Sequence, residues 1–221
     1  PGLIEGHTHL AWLFTSSEFI AHAMIGGTTS VITETLEPLP VSGVNGVIDF
    51  LESFNAQPIK FWATAPPMVS ISRAVRGVDI NDLRTLLARE DVLGLGESYW
   101  QAVLQDPDCF LPIFHQTLKA GKLLEGHSAG ASFDKLSAYA ACGVTSCHEP
   151  IKAEEVIERL RMGIYVMVRE GSIRRDLADI SRIKDAGVDL RRVILSTDGI
   201  TPKDLIEKGY MDYVLQKAID C

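Results

Sequence analysis

Two histidines separated by a single residue carry the strongest chemical signal in this sequence. His7 and His9 close an apolar segment, LIEGHTH at residues 3–9. Residues two apart in a β-strand point to the same face, so both imidazoles are predicted to converge on one point. Imidazole nitrogen is a common metal ligand in proteins. The pair therefore predicts part of a metal site, provided that further ligands meet it.

Four later strand-like segments each end on an acidic or imidazole residue. Four neutral imidazoles and two carboxylates suit Zn, Mn, Fe or Co, and they are enough for one or two divalent ions. Water shared by two such ions loses a proton near neutral pH, and a nearby carboxylate can carry that proton to a leaving group. We predict Asp198 as this proton carrier. The predicted ligands are His7, His9 and Asp198 for one ion, His127 and His148 for the other, and Glu97 as a bridge.

A single histidine at a strand end is more often a hydrogen-bonded structural residue than a ligand. Here four of the six histidines fall at predicted strand ends, which favours the joint metal site. His22 and His115 fall in predicted helices and are not assigned to it.

Polar residues beside these ligands are predicted to handle the substrate. Glu149 follows His148 and is predicted to protonate a ring nitrogen or orient a bound molecule; a solvated carboxylate, or a partner for Lys152, explains it equally well. A charged pair directly after an apolar strand is unusual and suggests a substrate contact, with a structural ion pair as the alternative. The predicted substrate contacts are Arg169, Glu170 and Ser172.

Strand-like and helix-like segments alternate through the whole chain, which favours a parallel sheet. Asp79 is predicted to begin one helix, and residues 154–163, acidic in the first turn and basic in the last, are predicted to form another. Eight repeats predict a (β/α)₈ TIM barrel, and an open doubly wound sheet is the competing arrangement. The ligand candidates favour the barrel, because a closed ring brings the ends of strands one and eight near those of strands four to six. We predict one domain over residues 1–221, with strands near 2–9, 28–33, 59–64, 92–97, 122–127, 144–148, 164–169 and 193–198.

Composition limits the class of protein. The chain has 221 residues, a net charge of −8 and no basic stripe, which argues against a nucleic-acid partner. No apolar run reaches the roughly 18 to 20 residues that span a bilayer. Four cysteines without a C-x-x-C pair favour a reducing, cytoplasmic compartment. The sequence begins at Pro1, directly before its first predicted strand, so we expect it to be a piece of a longer protein.

The motifs together resemble the amidohydrolase superfamily of metal-dependent hydrolases, and within it the adenine deaminases. The resemblance covers essentially the whole chain and is most specific at VMVREGS, residues 166–172. It implies a deaminase that acts on adenine or a related heterocycle through metal-bound hydroxide, with Mn, Fe or Zn as the ion. It also implies a β-sandwich domain built from segments that flank the barrel. The other matching stretches are HTH at 7–9, GLGE at 94–97, GH at 126–127, CHE at 147–149, LSTD at 195–198 and GYMD at 209–212.

Two alternatives to this function stay open. A cyclic-amide hydrolase, similar to dihydroorotase or hydantoinase, is the nearest, because fold and metal site do not fix the substrate. The second alternative is a catalytically silent metal-binding barrel. It is favoured by the lack of the flanking β-sandwich segments in this sequence and by departures from the family pattern at residues 10–14 and 34–38. The partner predicted in the first two cases is a small-molecule substrate, and assembly into a homo-oligomer is left open.

Overall fold

The computed structural model describes residues 1–11, 14–68 and 77–221. Residues 12 and 13, within the departure at 10–14, lie outside this description. The strands are β1 (Leu3–Thr8), β2 (Thr28–Thr33), β3 (Lys60–Ala65), β4 (Val92–Tyr99), β5 (Leu123–His127), β6 (Ser146–Cys147), β7 (Tyr165–Arg169) and β8 (Val193–Ser196). The helices are α1 (Ser16–Ile25), α2 (Pro38–Glu52), α3 (Ile80–Leu87), α4 (Trp100–Gln105), α5 (Pro107–Lys119), α6 (Phe133–Ala141), α7 (Ala153–Arg161), α8 (Leu177–Ile180), α9 (Pro202–Lys208) and α10 (Met211–Asp220).

The order of strands in the sheet is their order in the sequence, from β1 to β8. The pairs β1 with β2, β3 with β4, β4 with β5, and β7 with β8 are all parallel. The alternation of strands and helices predicted from the sequence is therefore confirmed. The strand boundaries differ most from the prediction at three strands: β6 is reduced to two residues, β8 ends at Ser196, two residues before Asp198, and β4 continues to Tyr99, so Glu97 lies inside the strand rather than at its end.

Contacts along the chain define two compact units. The first unit comprises residues 1–33, 56–61 and 147–221, and the second comprises residues 34–55 and 62–146. The sequence-based prediction of one domain over residues 1–221 stays a prediction.

The first unit joins the beginning of the chain to its end. The backbone N–H of Asp198 donates to the carbonyl oxygen of His7 at 3.1 Å, so the end of β8 lies beside β1. Helix α7 has acidic residues in its first turn and basic residues in its last, as the helix dipole favours. One cluster of the apolar core of this unit comprises Ala153, Val156, Val166, Val168, Leu177, Ile180 and Ile183.

The second unit contains β4, β5 and helices α2 to α6, which contribute residues to one apolar core cluster. Helix α3 begins where the sequence predicts, because the Asp79 carboxylate accepts the backbone N–H groups of Asn81 and Asp82. Its buried residues, Leu83, Leu86 and Leu87, recur at helical spacing and join the core. Gly94 allows β4 and β5 to approach each other, since a Cβ atom there would overlap the carbonyl group of Leu123.

Among the helices of the described residues, none is both long enough and apolar enough to traverse a bilayer.

Candidate metal centre

Three imidazoles surround one carboxylate oxygen in the first unit. The Nε2 atoms of His7, His9 and His148 lie 3.3, 3.5 and 3.8 Å from Oδ1 of Asp198. The His7 and His148 rings stack with centroids 3.9 Å apart, and all four side chains are buried. We call these four residues the His–Asp cluster. They come from the ends of β1, β6 and β8, as the sequence analysis predicts.

Local backbone geometry places the members of this cluster. Alternation along β1 puts His7 and His9 on one face. Asp198 adopts φ of 55° and Gly199 follows with φ of 115°, so the chain turns sharply after β8. Aspartate is among the few non-glycine residues that enter the left-handed region readily. This turn carries the Asp198 carboxylate towards the imidazoles.

Electrostatics keep Asp198 ionised in this buried position. Burial alone would raise its pKa, but the charge interaction with His148 and the hydrogen bonds from His7 and His9 hold the pKa well below the ordinary value for aspartate. The carboxylate is therefore available as an anionic ligand.

The second oxygen of Asp198 is held by Arg169. Arg169 Nη1 donates to Asp198 Oδ2 at 3.0 Å and lies 3.7 Å from Oε1 of Glu149, which is itself 3.6 Å from His148 Nε2. On the other side of the guanidinium, Nε donates to Oδ2 of Asp176 at 3.2 Å and Nη2 lies 3.1 Å from the same oxygen. Arg169 thus connects the two predicted proton-handling residues, Asp198 and Glu149, to a third carboxylate.

Asp176 is a residue that the sequence analysis does not identify. It precedes the short helix α8, in a segment without strand or helix periodicity, and no spacing in the sequence connects it to Arg169. Its role follows from contact alone.

The other two predicted substrate contacts have partners within the first unit. Glu170 follows Arg169 and so faces the opposite side of β7; its Oε1 accepts from Lys217 Nζ in α10 at 2.6 Å. Ser172 donates to Asp204 Oδ2 at 2.6 Å and accepts from the N–H of Thr201 at 2.8 Å, next to the start of α9. Substrate contact by Arg169, Glu170 and Ser172 stays a prediction.

The second unit contains the remaining predicted ligands. Glu97 Oε2 lies 3.6 Å from His127 Nδ1, and the Tyr99 ring lies against the His127 ring at 4.1 Å between centroids. The parallel register pairs Tyr99 with His127, which brings the ends of β4 and β5 together. The Tyr139 hydroxyl accepts from the His127 N–H at 3.3 Å and bonds to the Ser98 hydroxyl at 2.8 Å. Tyr139 therefore supports both strand ends, a role that the sequence analysis does not identify.

Glu5 is a further residue missed by the sequence analysis. It is fully buried and shares the inward face of β1 with His7 and His9. Burial raises its pKa to about 7, although hydrogen bonds from Thr197 and His7 act in the opposite direction. Its place two residues before His7 is the signal that could have identified it.

The donor set of the His–Asp cluster fits a divalent metal ion. Three imidazole nitrogens and one carboxylate form the mixed nitrogen and oxygen set that Zn, Mn and Fe accept. The three Nε2 atoms lie 3.3 to 3.8 Å from Oδ1 of Asp198, so the four possible ligand atoms are grouped around one point.

Comparison with known proteins agrees with the motifs. No family model matches the chain. It is 37% identical over 226 residues to an adenine deaminase of Cenarchaeum symbiosum, covering 99% of this chain and 37% of that protein. It is 35% identical over 227 residues to an adenine deaminase of Archaeoglobus fulgidus, covering 100% of this chain and 39% of that protein.

Solved structures extend the comparison to the fold. N-acetyl-D-glucosamine-6-phosphate deacetylase from Mycobacterium smegmatis is similar with a TM-score of 0.70 at 18% identity, covering 100% of this chain and 69% of that chain. The chain spans well under half the length of the two sequence relatives. Over its whole length the chain is therefore similar to proteins named adenine deaminase, and its fold class is the (β/α)₈ barrel.

Proposed function

We propose that the protein is a metal-dependent hydrolase that removes the amino group of adenine or a related heterocycle. The observation that carries this proposal is the His–Asp cluster, in a chain similar over its full length to proteins named adenine deaminase. Those relatives are longer, so activity and substrate are proposed for the whole protein of which this chain forms part.

We propose His7, His9, His148 and Asp198 of the first unit, and Glu97 and His127 of the second, as ligands of one or two divalent ions. Mn, Fe and Zn are the candidate ions, since all accept imidazole and carboxylate donors. A bound ion of this kind would lower the pKa of water and so supply the nucleophile for hydrolysis. The convergence of these four buried first-unit side chains on one point supports this role.

Asp198 is proposed to carry a proton to the departing nitrogen. Its Oδ2 accepts the Arg169 hydrogen bond, so Oδ1 is the atom at which we place the proton. A carboxylate oxygen has two lone pairs, which allows Oδ1 to serve as ligand and proton acceptor.

Glu149 is proposed to protonate a ring nitrogen of the substrate. It lies beside His148 and Arg169, which keeps its carboxyl group near the His–Asp cluster. General acids of this kind must lie within hydrogen-bond reach of the atom that they protonate.

Ammonia release from adenine tests the proposal. The full-length protein, loaded in turn with Mn²⁺, Fe²⁺ or Zn²⁺, is expected to release ammonia from adenine in at least one metal form. Ring opening of hydantoin or dihydropyrimidine instead would favour a cyclic-amide hydrolase. Bound metal without turnover of any of these compounds would contradict the proposed activity and favour a metal-binding module.

We also propose a cytoplasmic location for the protein. The four cysteines Cys109, Cys142, Cys147 and Cys221 are free thiols, which supports a reducing compartment. A disulfide found in the protein isolated from its source would contradict this location.

A further inference from the structure

Glu5 is a buried carboxylate to which the proposed reaction gives no role. Its Oε1 accepts the backbone N–H of His7 at 3.1 Å. Both of its oxygens lie 3.1 Å from the backbone N–H of Thr197, which is 192 residues away in the sequence. One side chain of β1 therefore holds backbone groups of both β1 and the segment after β8.

These two backbone groups belong to the peptide segments that carry proposed metal ligands. His7 is itself a proposed ligand, and Thr197 directly precedes Asp198. Two more contacts join the same segments. The Asp198 N–H donates to the carbonyl oxygen of His7 at 3.1 Å, and the Thr8 and Thr197 hydroxyls are hydrogen-bonded at 3.2 Å. Glu5 lies next to these contacts, because it is two residues before His7 and therefore on the same face of β1.

A carboxylate suits this position because both of its oxygens accept hydrogen bonds and neither donates. Removing it would leave two buried N–H groups without their acceptor, which proteins rarely tolerate. Burying a carboxylate is itself unfavourable, so an apolar side chain would be the simpler occupant if packing were the only requirement.

We propose that Glu5 is a positioning residue that sets the distance between the histidines of β1 and Asp198. It acts through the backbone of His7 and Thr197 and does not bind the ion. The inference rests on the proposed function, because it concerns the same metal ligands. Residues that orient metal ligands typically change metal affinity by about 10- to 100-fold when they are replaced.

Substitution of Glu5 by Gln separates positioning from packing. Glutamine has nearly the same shape, but it replaces one acceptor oxygen with an NH₂ donor that would oppose the Thr197 N–H. We expect faster hydrogen exchange of the His7 and Thr197 amides in the metal-free Glu5→Gln protein. We also expect affinity for Zn²⁺ or Mn²⁺ to fall about 10-fold or more, corrected for the unfolded fraction.

Ile180→Ala provides the control for lost stability. Ile180 is buried in the apolar core of the first unit and lies outside the contacts of Glu5 described above. Hydrogen exchange is followed by mass spectrometry on peptides that cover residues 5–9 and 194–199, and metal affinity by competition with a chelating dye. At comparable thermal destabilisation, Ile180→Ala should keep the metal affinity of the wild type.

The outcomes distinguish this inference from the proposed function. Wild-type protein that binds neither ion would overturn both. If the wild type binds metal, two results would overturn the positioning role alone: an unchanged metal affinity in Glu5→Gln, or a loss of metal affinity in Ile180→Ala equal to that in Glu5→Gln. Rapid exchange of the His7 and Thr197 amides in the wild type would also overturn it. If Glu5→Gln does not fold, Glu5→Asp replaces it: the shorter carboxylate should weaken metal binding, and unchanged affinity would overturn the inference.

Discussion

At the scale of single residues, the two oxygens of Asp198 have different surroundings. Oδ1 faces three imidazoles and Oδ2 faces Arg169, so one side chain can bind an ion while a fixed cation holds its orientation. The left-handed backbone at Asp198 restricts which residues can replace it without strain. Asparagine tolerates this conformation, which makes Asp198→Asn a test of charge and basicity rather than of backbone geometry.

Asp198→Asn is expected to lower deaminase turnover by about 100-fold or more, because the amide cannot accept the proton as a carboxylate does. Bound metal should fall less than turnover, since three imidazoles remain. Rates are measured on the full-length protein and divided by metal content. Asp212→Asn serves as control, because Asp212 in α10 accepts from the Tyr210 N–H and lies outside the His–Asp cluster. Turnover of Asp198→Asn within a few-fold of wild type would remove Asp198 from the mechanism.

Arg169→Met is expected to destabilise the fold by about 3 to 5 kcal/mol, because it leaves the buried Asp198 carboxylate without its arginine and removes one of the two arginines that pair with Asp176. Urea unfolding measures this loss. Arg191→Met is the matched control, since Arg191 forms an exposed pair with Asp189 and should have little effect on unfolding. A stability of Arg169→Met equal to that of wild type would favour a substrate-binding arginine over a structural one.

At the scale of secondary-structure elements, short polar signals set where helices begin. Thr201 accepts the Asp204 N–H at the start of α9, and Asp79 accepts two N–H groups at the start of α3. Strands are limited in a different way, by pairing with their neighbours. The sequence therefore predicts the start of α3 correctly, whereas β4 continues two residues beyond its predicted end because its pairing with β5 extends to Tyr99.

Asp79→Ala is expected to lower the free energy of unfolding by about 0.5 to 2 kcal/mol, since the Asn81 and Asp82 N–H groups lose their side-chain acceptor. Asp82→Ala is the comparison, because it removes an acidic residue from the same first turn without removing the cap. Chemical denaturation of both variants measures the difference. Equal losses in the two variants would mean that charge near the helix end matters and the cap does not.

At the scale of the whole molecule, metal binding is expected to contribute to stability. A ligand that binds the folded state alone stabilises it by about 2.7 kcal/mol when its concentration is 100 times its Kd. The His–Asp cluster brings together residues from both ends of the chain, so an ion there would link distant segments of the first unit.

Removal of metal by a chelator is therefore expected to lower the Tm and to abolish turnover. Zn²⁺, Mn²⁺ or Fe²⁺ should restore both, whereas Mg²⁺ should not, because it prefers oxygen ligands in octahedral geometry. Calorimetry and ammonia release measure the two effects on the same samples. A Tm that does not change with chelation, in protein shown to have held metal, would contradict this expectation.

Much of the fold and part of the candidate site could be predicted from the sequence. Alternation in β1 predicts that His7 and His9 share a face, and the His148 and Asp198 positions at strand ends predict the His–Asp cluster. Asp79 and the charge distribution of α7 predict helix boundaries. These features succeed because strand alternation, capping and helix dipoles act over a few residues, within the reach of local sequence.

The tertiary structure alone decided the partners of the buried charges. Arg169 is the last residue of the apolar strand β7, a position that predicts substrate contact. Its guanidinium lies between Asp198 and Asp176. Glu5 meets the Thr197 N–H across 192 residues of sequence. Such partners cannot be predicted from one sequence, because a buried charge pairs with whatever group packing places beside it, and that group can come from any part of the chain.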